Sequence, residues 1–122
     1  MNSKRKGKAG ELELASYLRA RGVAARRGRQ FNGRDGSPDV VSALANIHIE
    51  CKRCEQLNLY AALDQASNDA WGKVPVVMHR RNGREWVAIL KLGDLLALLN
   101  LSNNLSKGRE TYPPPDLPTV AG

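Results

Sequence analysis

Three side chains of this sequence have the types and spacing to work together: Asp39, Glu50 and Lys52. The run Ile47 to Lys52 alternates apolar and polar residues, the period of a strand whose side chains point to opposite faces in turn. Ile47, Ile49 and Cys51 are expected on the core side, and His48, Glu50 and Lys52 on the other. Taken alone, Glu-x-Lys is an ion pair on a half-exposed strand. Asp39 changes its meaning, because Pro38-Asp39 opens the preceding strand, where a proline is tolerated. If the two strands form a hairpin, both carboxylates and the ammonium converge at one edge of the sheet. Close carboxylates repel and raise one another's pKa. A divalent cation removes that penalty, and hard oxygen ligands suit Mg²⁺, which readily takes phosphate oxygens.

The elements that must hold these groups follow from periodicity and turn signals. A helix is predicted over 10–21, stopped by Gly22; Glu11, Leu14, Ala15 and Leu18 fall at i, i+3, i+4 and i+7, which puts Glu11 on the inward stripe. Residues 23–27 fit a short strand, and 28–37, with three glycines and two arginines, a loop. Strands over 39–44 and 47–52 are joined by a turn near Ala45-Asn46. A helix over 57–70 follows, with Leu59, Ala62, Leu63, Ala66 and Ala70 as its stripe and Gln65 at its border. Strands over 74–79 and 85–92 meet at Asn82-Gly83, a two-residue turn with positive φ at both positions. Asp94 is placed to cap a closing helix over 95–101. The order αβββαββ, then a short helix, predicts an α/β fold: one domain with a central mixed sheet of five strands flanked by helices. Residues 1–9 are expected to be a basic flexible arm, 10–101 the domain, and 102–122 a proline-rich, disordered tail.

With 122 residues, 42% of them hydrophobic, the chain suits one globular domain. The net charge of +7 is unevenly spread. Residues 1–34 hold ten basic and two acidic side chains, a net +8, which leaves −1 for the other 88. Charge gathered in one third of a chain suits a face that meets a polyanion, nucleic acid being the commonest. No apolar run approaches the roughly 20 residues that cross a bilayer. The charged N-terminus lacks the apolar core of a secretory signal, and Cys51 and Cys54 are too few and too close to form a disulfide framework, so a reducing, cytoplasmic setting is expected. Cys51, Cys54, His48 and His79 do not suit zinc, since His48 and Cys51 should point to opposite faces of one strand. Tyr60, Trp71 and Trp86 are too scattered to stack bases and are expected in core or rim packing, while Phe31 lies in the basic loop.

The runs Lys6-Gly7-x-x-Gly10-Glu11-x-Glu13-Leu14, Gly36-Ser37-Pro38-Asp39-Val40-Val41 and Ile49-Glu50-Cys51-Lys52 together resemble the PD-(D/E)xK nuclease superfamily. Within it they are most similar to archaeal Holliday junction resolvases and small phage-encoded endonucleases, over about residues 6–92. The resemblance implies a restriction-endonuclease-like fold and Mg²⁺-dependent hydrolysis of DNA phosphodiesters, with Mn²⁺ able to substitute. It implies a catalytic set of Glu11, Asp39, Glu50, Lys52 and Gln65. Asp39 and Glu50 would bind the metal, with the Cys51 carbonyl as a further ligand and Glu11 acting directly or through water. Lys52 would orient the attacking water. It also implies branched or junction DNA as partner and a homodimer that makes paired cuts. Lys4, Arg5, Lys6, Lys8, Arg26, Arg27, Arg29, Arg34 and the loop residue Ser37 would contact the DNA. Two alternatives stand beside it: a catalytically silent DNA-binding module on the same fold, and a less selective phage or restriction-type endonuclease.

Overall fold

The computed structural model describes residues 3–28 and 38–105. Its elements run α1 (Ser3–Ala20), β1 (Ala25–Arg27), β2 (Val40–Ser42), β3 (Ile47–Arg53), α2 (Leu59–Asp69), β4 (Val74–Arg80), β5 (Val87–Ile89) and α3 (Leu92–Leu105). This is the expected order, and the five strands form one sheet in the order β1-β2-β3-β4-β5. Strands β3 and β4 run parallel and the other neighbours antiparallel. The chain divides into two units, residues 1–91 and 92–122, so the closing helix does not belong to the compact unit that carries the sheet. Among the described residues no helix is long and apolar enough to cross a membrane.

The first helix begins at Ser3, and the expected arm is helical from that residue on. Lys and Arg are good helix formers, and turns added to an existing helix need no new nucleus. The C-terminus of α1 lies where Gly22 predicts it. Gly22 takes φ +87°, while Val23 N–H donates to the Leu18 carbonyl and Gly22 N–H to the Arg19 carbonyl. Those two bonds are the Schellman motif, which closes a helix by satisfying its last carbonyls. At the start of α2, the Asn58 side chain accepts from Ala61 N–H at 3.2 Å. Asp94 lies in the first turn of α3 rather than capping it, where its charge favours the helix dipole.

Leu14, Ala15 and Leu18 of α1 pack with Val40, Ile49 and Trp86 on one side of the sheet. Ala62, Leu63 and Ala66 of α2 pack with Val77 of β4. Val77 is level with Glu50 in the parallel β3–β4 pair, so α2 covers the face of β3 that carries His48, Glu50 and Lys52. That face is not half-exposed as the alternation alone suggests. His48 is 3% and Glu50 4% exposed.

Two further expectations differ from the structure. In the β4–β5 connection only Gly83 has positive φ, at +73°, and Arg84 N–H bonds back to the Arg81 carbonyl. That is a type II arrangement within a longer loop, because β5 does not begin until Val87. Of the aromatic residues expected in core or rim, Trp86 is buried, but Tyr60 is 78% and Trp71 82% exposed. Tyr60 is off the buried stripe of α2, and Trp71 follows that helix in a left-handed conformation, φ +50°.

Helix α1 approaches β3 closely at Gly10. A Cβ there would lie 2.6 Å from Arg53 Cβ, far inside van der Waals contact. Gly10→Ala is therefore expected to destabilise the fold by about 1–3 kcal/mol, despite the helix preference for alanine. Urea unfolding checks it, and a variant as stable as the parent would show that α1 docks differently.

Candidate active site

Asp39 is placed by its backbone before its side chain does anything. Its N–H donates to the Ile49 carbonyl at 3.0 Å, and its own carbonyl accepts from Gly28 N–H at 2.8 Å. Gly28 is needed here, because any Cβ would overlap the Pro38 carbonyl. So held, the Asp39 carboxylate accepts from the Cys51 N–H at 2.8 Å, across the hairpin. Glu50 and Lys52 flank that amide in β3, with Lys52 Nζ 3.7 Å from Glu50 Oε2. From α2, Gln65 Oε1 accepts from Lys52 Nζ at 3.0 Å. The hairpin and the helix thus bring Asp39, Glu50, Lys52 and Gln65 together.

Electrostatics set the state of the two acids. Burial, then the charge of Asp39, raise the Glu50 pKa to about 7, against the pull of Lys52. Burial also raises Asp39, offset in part by the Cys51 amide and Lys52. The nearness of Asp39 adds to burial in favouring a proton on Glu50. Such a pair costs stability when fully ionised and loses that cost when a cation sits between its members. The donor set fits Mg²⁺: two adjacent hard carboxylates with an ammonium beside them.

Glu11 lies on the inward side of α1, and its carboxylate meets Arg27 Nε at 2.7 Å. Burial raises its pKa first, Arg27 opposes the shift, and Asp39 adds to it, so Glu11 feels the centre electrostatically. Glu11, Asp39 and Glu50 do not, as a trio, lie within 4.8 Å of one another. Arg27, expected at the DNA backbone, meets Glu11 through its Nε, and its side chain is 38% exposed. Glu13 turns away from this centre and joins Arg53 at 3.2 Å and Arg80. Burial of the Cys51 thiol pushes its pKa up, which leaves it inert.

Lys8 and Arg26 are exposed. Lys4, Arg5 and Lys6 belong to the first turns of α1. Arg29, Arg34, Phe31 and Ser37 lie outside the described residues. Two residues were not singled out as site members from sequence: His48 and Asp69. Ligand atoms of His48, Glu50 and Asp69 all lie within 4.8 Å of one another. The signals were present, since His48 shares the strand face of Glu50, and Asp69 follows Gln65 by four residues on one helix face.

A family model described as archaeal Holliday junction resolvase (Hjc) matches residues 2–112. The chain belongs to the Hjc family. Among solved structures, Archaeoglobus fulgidus Hjc, a Holliday junction resolvase from an archaeal hyperthermophile, matches with a TM-score of 0.53 and 21% identity. The match covers 67% of this chain and 74% of that one. The likeness is one of fold, which in this chain is a five-stranded mixed sheet with helices on its faces. No curated protein matches the sequence.

Proposed function

We propose that this Hjc-family chain is a divalent-cation-dependent endonuclease that hydrolyses phosphodiester bonds in branched DNA, with four-way junctions as its preferred substrate. The observation that carries this most is that two carboxylates, Asp39 and Glu50, are both buried at one end of the hairpin, with Lys52 3.7 Å from Glu50. A structural ion pair has no need of a second buried carboxylate.

Asp39 and Glu50 would hold the cation, Mg²⁺ or Mn²⁺, with the Cys51 carbonyl as a further oxygen ligand. When bound, the cation supplies Lewis acidity to a phosphoryl oxygen and to water. Lys52, kept in place by Gln65 and Glu50, would orient the attacking water and offset charge gathering on the phosphate. Glu11 would order solvent at the rim of the site, its orientation set by Arg27. Lys4, Arg5, Lys6, Lys8, Arg26 and Arg27, with Arg29, Arg34 and Ser37 of the loop, would contact backbone phosphates without reading sequence.

Paired cuts in a two-fold substrate call for a two-fold enzyme. Helix α3 carries exposed Leu92, Leu95, Leu96 and Leu99 at i, i+3, i+4 and i+7, an apolar stripe of the kind a second copy covers.

The test presents four-way junction, flap and linear duplex to the full chain in Mg²⁺ or EDTA, with sedimentation run alongside. Expected are paired nicks in the junction at a rate at least tenfold above duplex, none in EDTA, and a dimer. Retarded but uncut junctions would identify a silent binding module. Equal cutting of all three substrates would identify a less selective nuclease, and a monomer would remove the dimer.

A further inference from the structure

His48 is buried on the Glu50 face of β3, two residues before it. Its Nε2 is enclosed and has no hydrogen-bond partner among the described residues. An unmet polar atom at such depth carries the full cost of its lost hydration. The acids beside it do not close an ion pair with it, since among the described residues no carboxylate comes within ion-pair distance of its ring. Yet ligand atoms of His48, Glu50 and Asp69 share a 4.8 Å neighbourhood. Two ligands, each roughly 2.1 Å from one small cation, stand at most roughly 4.2 Å apart. The gap is thus too wide for direct bonding and close to the span of one coordinated ion.

We propose that His48, Glu50 and Asp69 form a second divalent-cation site, sharing the Glu50 carboxylate with the Asp39 site and preferring Mn²⁺-type cations to Mg²⁺. The preference follows from the donors. Asp39 and Glu50 offer hard oxygens alone, whereas an imidazole nitrogen favours transition cations over Mg²⁺. Strand β3 supplies two ligands from alternate positions on one face, and the last turn of α2 supplies the third. Gln65, four residues earlier on α2, meets Lys52, so a single helix face serves both halves of the centre.

Because Glu50 is taken as a cation ligand, the inference rests on the function proposed above, and its test reads binding rather than cleavage. Metal-free full chain is titrated with Mn²⁺ and with Mg²⁺ by calorimetry, and bound Mn²⁺ is examined by pulsed electron paramagnetic resonance for coupling to an imidazole nitrogen. Expected are two Mn²⁺ and one Mg²⁺ per chain, with nitrogen coupling present. His48→Asn removes the coupling and one Mn²⁺. Asp69→Asn, at a half-buried helix end, weakens the same Mn²⁺ at least tenfold and covers the case that the His48 variant does not fold. Asp39→Asn keeps the nitrogen-coupled ion. Unchanged Mn²⁺ binding in the Asp69 variant, or no nitrogen coupling in the parent, overturns the second site and leaves the Asp39–Glu50 assignment standing. Loss of Mg²⁺ binding in the parent with the nitrogen-coupled Mn²⁺ intact does the reverse.

Discussion

Asp39→Asn is expected to lower Mg²⁺-supported strand cleavage by about 10³-fold while the protein still folds and binds DNA. The asparagine has nearly the shape of the aspartate, and its carbonyl oxygen can still accept the Cys51 N–H that Asp39 accepts at 2.8 Å. The backbone bonds to Ile49 and Gly28 do not involve the side chain. The change removes one negative charge beside Glu50. A metal-clamped phosphoryl centre draws several kcal/mol from its ion, and at about 1.4 kcal/mol per tenfold a loss of about 4 kcal/mol gives about 10³. In metal-free buffer above pH 7, where Glu50 is ionised, the melting temperature should rise, because a repulsion between buried charges is gone. Single-turnover cleavage, gel retardation and thermal melts measure the three quantities together. A loss below tenfold with junction binding intact would move the cation away from Asp39.

The second large effect is a pH dependence of stability that a cation reverses. Glu50 has its pKa raised from 4.5 to about 7 in the folded chain. A carboxyl raised in this way holds its proton more tightly folded than unfolded. Its contribution is fully present below pH 4.5 and is lost as pH rises through about 7. At about 1.4 kcal/mol per unit, the loss is on the order of 3 kcal/mol. His48 works in the opposite sense, since its pKa is lowered from 6.5 and its contribution is lost as pH falls. The difference between the parent and Glu50→Gln therefore isolates Glu50. In EDTA that difference in melting temperature should widen from pH 5 to pH 8, with the glutamine variant the more stable at high pH. Mg²⁺ competes with the proton, so it should stabilise the parent more at pH 8 than at pH 5 and do little for Glu50→Gln. Parallel melting curves across that range would mean that Glu50 ionises freely and carries no strain for a cation to relieve.

The fold places this cost at the centre where the proposed function would hold its cation. A buried acid pair is held by two helices and a hairpin whose cores lie on either side of β3. Stability is given up at Glu50 as its proton leaves, and the cation of the proposed function would restore it.

How much of this was written in the chain depends on the range over which each feature acts. Element order, the stop of α1 at Gly22 and the juxtaposition of Asp39 with Glu50 arise from local periodicity, one glycine and a short hairpin, and these can be read residue by residue. The N-terminal turns of α1 were not legible, since a helix extends by cooperativity from its docked part. Nor was the type of the Asn82-Gly83 turn, which depends on where β5 begins. The tertiary structure alone decided that α2 roofs the Glu50 face, that Asp69 comes to His48, and that Arg27 meets Glu11. Those contacts join residues 13 to 21 positions apart, and no local pattern encodes the angle at which a helix lies on a sheet. The chain determined which groups are present; packing determined how deeply they are buried, and burial sets their charge.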